Sequence, residues 1–184
     1  MRLFVGIPLP DFIIDELSRT SLRFQSPNDG LRWSAPESWH VTLQFLGSVQ
    51  PDQHACITAA LRDFHHAPVP IQLDELGFFD RAGVFFAGVR LSPALLSLQQ
   101  QITAATAPCG FVPDTRPFHP HITLARSKGK AGARSLRALQ SQIQTRAHRP
   151  PAFKLFLARE FVLYESLPTP SGSRYEVRDR FPLD

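Results

Sequence analysis

Several things are scarce in this chain of 184 residues, and each scarcity excludes something. No apolar run approaches the roughly 20 residues of a helical membrane span. The opening Met1-Arg2-Leu3-Phe4-Val5 reads as a strand rather than a signal peptide. A cytoplasmic protein with no membrane contact is therefore expected. The two cysteines, Cys56 and Cys109, form no metal-binding spacing and are expected as free thiols of a reducing compartment. Acid is missing from Thr115 to Arg159, which holds ten Lys or Arg and no Asp or Glu. Lysine is scarce as well, since 17 of the 20 basic residues are Arg. The net charge of +4 is thus unevenly spread: residues 1–114 hold 7 bases and 11 acids, residues 115–184 hold 13 and 5. An Arg-rich, acid-free stretch suits planar, bidentate contact with phosphate or a polyanion.

What is present twice matters more. His40-Val41-Thr42-Leu43 and His121-Ile122-Thr123-Leu124 are nearly the same tetrapeptide. Each lies in an apolar run, Trp39 to Leu46 and Phe118 to Ala125, whose alternation argues β-strand. Residues two apart on a strand share a face. His40 and Thr42 therefore present an imidazole and a hydroxyl side by side, backed by Val41 and Leu43. His121 and Thr123 do the same over Ile122 and Leu124.

The length suits one domain over residues 1–184. Around the motifs the pattern predicts strands at Arg2–Ile7, Val69–Leu76, Val84–Leu91, Phe153–Leu157, Phe161–Glu165 and Arg174–Arg180. It predicts helices at Pro10–Phe24, Pro51–Phe64, Ser92–Ala107 and Ala133–Arg146, the first with an apolar stripe of Phe12, Ile13, Leu17 and Leu22. Ser92-Pro93 reads as an N-cap followed by Pro at the first helical position. Pro27–Gly30 and Pro168–Gly172 read as turns, and Lys128–Gly132 as a Gly/Lys loop. A shift of 81 residues superposes the motifs and, with them, strand on strand and helix start on helix start. The expected fold is α+β and bilobal: two pseudo-symmetric β-α-β-α-β halves, about 1–80 and 81–184, with antiparallel sheets forming a central groove. A pseudo-twofold axis would bring the two motif strands face to face.

Two imidazoles across a groove can act as base and acid in one in-line displacement at phosphorus. Thr42, Thr123 and Arg126 could hold the non-bridging oxygens as their charge grows. No metal, cofactor or covalent intermediate is needed. His119 shares the strand face of His121 and suits a structural or rim position. His54, His65, His66 and His148 are read as surface residues, and Trp33, Trp39 and Phe118 as core aromatics, any of which could instead stack on a base.

These residues resemble the two-histidine phosphoesterase superfamily, and within it the LigT/ThpR type, the RNA 2′,3′-cyclic phosphodiesterases once called 2′-5′ RNA ligases. The likeness runs through Arg2-Leu3-Phe4-Val5-Gly6-Ile7, Arg32-Trp33, His40 to Gly47, Leu76-Gly77-Phe78-Phe79, Phe118 to Arg126, Leu163-Tyr164-Glu165-Ser166 and Tyr175. Trp39, where the family often has a smaller residue, and the Gly/Ala-rich stretch after Gly129 depart from it. The resemblance implies a V-shaped groove and hydrolysis of an RNA 2′,3′-cyclic phosphate end, tRNA fragments among the candidate substrates, to a 2′-phosphate. It makes His40 the proton donor to the leaving 3′ oxygen and His121 the base that activates water. A monomer is expected, and the resemblance implies that RNA ends can also be joined through a 2′-5′ bond in the reverse direction. Two rivals stand beside this reading: a zinc hydrolase built on His40, His119 and His121, and a non-catalytic RNA or nucleotide binder using the basic half. In the leading reading, charge repulsion from basic neighbours lowers the pKa of His121. The acid limb of the pH profile is then assigned to His121 and the alkaline limb to His40, both within about two units of pH 6.5.

Overall fold

Two antiparallel sheets meet at a shared groove; the two His-x-Thr strands alternate buried and half-exposed residues, while the apolar strands beside them are buried on both faces. The computed structural model describes residues 1–26, 29–145, 152–170 and 172–184. In chain order the elements are β1 (Arg2–Pro8), α1 (Asp11–Leu22), β2 (Leu31–Trp33), β3 (His40–Ser48), α2 (Pro51–Arg62), β4 (Val69–Ile71) and β5 (Leu73–Phe79). They continue with β6 (Val84–Val89), α3 (Pro93–Thr106), β7 (His121–Ser127), α4 (Gly129–Thr145), β8 (Phe156–Ala158), β9 (Glu160–Thr169) and β10 (Gly172–Pro182). One sheet has the order β10-β9-β1-β3 and the other β2-β7-β6-β5, while β4 and β8 form a separate ribbon. The His strands β3 and β7 lie alongside each other where the sheets meet. Helices back the sheets: α3 packs on β3, and α4 packs on β7 and β2. No helix among the described residues is long and apolar enough to cross a membrane.

The motif strands begin 81 residues apart, at His40 and His121, and β1 and β6 hold the same place beside them. Yet the strands do not stay with their own half of the chain. β5 pairs with β6, and β2 with β7, whereas β9 crosses back to pair with β1. The stretch expected as one strand over Val69–Leu76 is therefore two. β4 pairs with β8 in the ribbon, and β5 joins the second large sheet. Gln72 marks the break, its side-chain amide donating to the carbonyls of Leu73 and Phe153. The buried stripe of α1 is Ile13, Leu17 and Ser21, while Phe12 and Leu22 face solvent. The predicted Lys128–Gly132 loop is the start of α4. A Cβ on Gly132 would lie 2.5 Å from the Gly30 carbonyl oxygen, so glycine lets this helix start press against the chain entering β2. The turn at Pro27–Gly30 and that at Pro168–Gly172 lie partly outside the described residues, as does the predicted end of the fourth helix at Arg146; His148 lies wholly outside them.

The expectation of free thiols is overturned. Cys56 on α2 and Cys109, just past α3, are joined as a disulfide with Cα atoms 5.7 Å apart. A sequence separation of 53 gives no hint of this; the packing of α2 against the end of α3 brings the two together. Closing a loop of that length removes unfolded-state entropy worth about 4 kcal/mol. Reduction with dithiothreitol, or Cys56→Ser with Cys109→Ser, is expected to lower the melting temperature by several degrees. An unchanged midpoint in a calorimetric scan would show that the bond contributes nothing.

Candidate active site

Each motif histidine is set by the same local device. The chain enters β3 through a 3-10 turn at Pro36–Ser38, and His40 Nδ1 lies 2.8 Å from the Ser38 carbonyl oxygen. His121 Nδ1 lies 2.8 Å from the His119 carbonyl oxygen, also two residues back. A carbonyl only accepts, so Nδ1 carries the proton in both rings and Nε2 is the atom that gains or loses one. His40 Nε2 lies 3.1 Å from Thr42 Oγ1, in keeping with a shared strand face. Val41, Leu43, Ile122 and Leu124 are buried in the core behind them.

Each imidazole is caged by aromatics. Phe4, Tyr164 and Tyr175 surround His40, with ring centroids 4.6, 5.6 and 5.0 Å away. Phe79 and Phe86 flank His121 at 4.9 and 5.3 Å. Phe86 can lie over β5 because position 77 is glycine; a Cβ there would meet its ring at 2.5 Å. Tyr164, its phenol pushed up to about 12 chiefly by burial, stays neutral.

Burial has a direct electrostatic result. It lowers the pKa of His40 to about 4, with the charges of His121 and Arg126 acting in the same direction and the Ser38 bond opposing. His121 is lowered as well, first by burial and then by the charges of His119 and Arg126. The basic surroundings expected to depress His121 do contribute, but enclosure leads. His40 is the ring driven down to about 4.

Arg126 reaches the groove through a backbone irregularity. Strict alternation from His121 would put it on the core side. The β6–β7 register shifts between Thr123 and Ala125, leaving Leu124 as an extra residue. After this bulge Ala125 is buried and Arg126 is exposed, on the groove side with His121 and Thr123. An equivalent shift in β3, at Leu43, leaves Phe45 as the counterpart of Arg126 and 73% exposed.

His119 is exposed at the rim, its ring packed edge-on against Phe79. Among the described residues no three His, Cys, Asp or Glu side chains converge as metal ligands, so His40, His119 and His121 do not form the donor set a three-His zinc site requires. Trp39 is buried, and Trp33 is half-buried with its indole N–H donating to Asp29. Phe118 packs on the core. His65 is exposed as expected, but His54 and His66 are only partly so, and His54 lies 3.8 Å from Asp179. The cage residues Tyr175 and Phe86 could not be found by strand alternation, because they come from distant strands.

Comparison with known proteins agrees with this geometry. The sequence pattern of the 2′-5′ RNA ligase superfamily matches residues 14–167. An RNA 2′,3′-cyclic phosphodiesterase of Geobacillus stearothermophilus is 34% identical over 98% of this chain, which spans 56% of that relative's length. One of Escherichia coli is 29% identical over 99% of this chain and 96% of its own. The crystal structure of E. coli LigT complexed with 3′-AMP superposes with a TM-score of 0.80 at 28% identity, covering 99% of this chain and 97% of that one. A crystal structure from Thermus thermophilus gives 0.77 at 26% identity, covering 100% and 98%. Two matched His-x-Thr strands, the exchanged outer strands and a family pattern spanning most of the chain agree on one conclusion: the chain belongs to the 2′-5′ RNA ligase superfamily, the LigT-type two-histidine phosphoesterases.

Proposed function

We propose that the protein is an RNA 2′,3′-cyclic phosphodiesterase that opens a terminal cyclic phosphate to a 2′-phosphate by metal-independent acid–base catalysis. The observation that carries this is the duplication of one device: two histidines, each with Nδ1 held by a carbonyl two residues back and Nε2 left to titrate, on strands that meet at one groove. Named relatives with that activity, and E. coli LigT structures with 3′-AMP and with phosphate, support it. His121 Nε2 takes a proton from water as the oxygen attacks phosphorus, and His40 Nε2 gives one to the departing 3′ oxygen. Thr42, Thr123 and Arg126 hold the non-bridging oxygens. The low pKa of His40 makes its protonated form a strong acid, which suits a donor. That form is scarce at neutral pH in the free protein, and an anionic phosphate in the groove favours it. With the 5′ hydroxyl of a second RNA end in place of water, the same acid–base chemistry joins the two ends through a 2′-5′ bond, the 3′ oxygen leaving with the proton from His40. The protein acts as one domain over residues 1–184 and as a monomer.

The test is incubation with an RNA ending in a 2′,3′-cyclic phosphate, followed by identification of the product. A 2′-phosphate end supports the reading; binding without turnover points to an RNA binder.

The pH profile gives a second check. One histidine must be charged and the other neutral, so kcat/KM is expected to be bell-shaped. Both pKa values are lowered, so its limbs lie near 4 and below 6.5, and beyond the upper limb the rate falls about tenfold per pH unit. The kcat profile lies at higher pH, because bound phosphate raises both values. A single rising limb with a plateau at high pH, together with loss of activity in EDTA, would indicate metal-bound water instead.

A further inference from the structure

A cavity of about 420 Å³ opens beside the catalytic groove, between the entry to β3 and the tip of the β9–β10 hairpin. Its size falls in the range of small-ligand sites. Three features make it more than a surface hollow. First, it is continuous with the catalytic centre. Ser38, whose carbonyl holds His40, lines it, and so do Tyr175, which packs on His40, and Arg126. Second, it gathers Arg32, Arg126 and Arg174. Arg32 and Arg126 are direct cross-strand partners in the β2–β7 pair. Like charges placed opposite one another are unfavourable unless something negative lies between them. Among the described residues no carboxylate forms an ion pair with either, Glu37 on the cavity wall included. Third, the third arginine comes from a different element and is placed to complete the set. The Arg32 side chain lies along the hairpin backbone, its Cδ 3.5 Å from where a Gly172 Cβ would be. Arg174 pairs with Glu176, but that pair is solvent-exposed and so weak, and the guanidinium keeps further donors.

We propose that Arg32 and Arg174 form a second phosphate subsite, which receives the phosphate on the 5′ side of the terminal nucleoside while its cyclic phosphate lies between His40 and His121. The chemistry recognised is a phosphate ester one ribose away from the reacting phosphorus. In an RNA end that group is the diester leading to the penultimate nucleotide; in a mononucleotide it is a 5′ monoester. The subsite makes the enzyme a reader of polynucleotide ends, and Arg126, between the two phosphates, ties it to the catalytic centre. This inference rests on the cyclic-phosphodiesterase reading above.

Three substrates separate the possibilities: adenosine 2′,3′-cyclic phosphate with a free 5′ hydroxyl, the same nucleoside with a 5′ phosphate, and the dinucleotide ApA with a 2′,3′-cyclic end. The wild-type kcat/KM is expected to be higher for the two substrates carrying a 5′-side phosphate, by tenfold or more and mainly through KM, as for a charge-assisted contact. Arg32→Ala and Arg174→Ala are each expected to bring the ratio between substrates toward one, with Arg32→Lys retaining part of it. Salt should weaken the preference, and the salt slope for the dinucleotide should shrink in Arg32→Ala. A purely structural role would lower all three rates together and leave the ratio intact, which would overturn the subsite. Preference for the dinucleotide but not for the 5′ monoester would assign the gain to the extra nucleoside rather than to phosphate, and would overturn it too. Turnover of all three at equal rates refutes the subsite alone; turnover of none refutes the underlying reading with it.

Discussion

With His40 replaced by Ala, turnover of a 2′,3′-cyclic phosphate end is expected to fall by roughly 10²–10⁴-fold, and with His121 replaced by a similar factor. Acid and base act in one displacement, so once either is gone the other has little left to assist. The double replacement should therefore be scarcely worse than the single ones. Both side chains lie on the groove face of their strands while Val41, Leu43, Ile122 and Leu124 fill the core behind, so circular dichroism and the melting temperature should change little. Removing His40 should also erase the alkaline limb of the pH profile, leaving a rate that rises with pH to a plateau as His121 loses its proton. Losses that multiply in the double mutant would mean that the two histidines serve separate steps.

Arg126→Ala is expected to cost on the order of 10²–10³-fold in rate, the range for a lost donor to a developing oxyanion. Thr42→Ala and Thr123→Ala should fall at or below the lower end of that range, because a hydroxyl offers one neutral donor where the guanidinium offers a charged fork. Lysine at position 126 should recover only part of the loss, keeping charge but not the paired N–H geometry. Inorganic phosphate or a nucleoside 2′-phosphate should compete with substrate in the wild type and less well in Arg126→Ala. If neither anion inhibits, phosphate does not bind between these strands.

The duplicated His-x-Thr strands were legible because alternation is a local property: a strand that buries Val41 and Leu43 must turn His40 and Thr42 the other way. Arg126 was visible as a basic residue near the motif, but the bulge at Leu124 that turns it to the groove leaves no mark in the side-chain pattern. Val69–Leu76 looked like one strand because both pieces are apolar; only their partners, β8 and β6, separate them. The predicted strand at Phe118 begins instead at His121, after Pro120, which has no N–H to give to a ladder. The Gly/Lys run at Lys128–Gly132 has the composition of a loop, yet close approach to Gly30 is what selects its glycine. The cysteine bond and the aromatic cages depend on contacts between distant elements, so no window of sequence contains them.

The exchange of outer strands between the sheets has a consequence for synthesis. β1 leaves the ribosome early but has only β3 beside it until β9 arrives, when residue 3 meets residue 165. Tyr164 and Tyr175, which enclose His40, come from β9 and β10, so that histidine remains open to water and near its ordinary basicity while translation proceeds. Such long-range pairing also makes folding slow for the chain's length. The unfinished polypeptide thus carries both histidines without the setting that tunes them. A chain emerging beside its own messenger and the transfer RNAs that decode it acquires the power to process RNA ends only after these last strands have closed over the site.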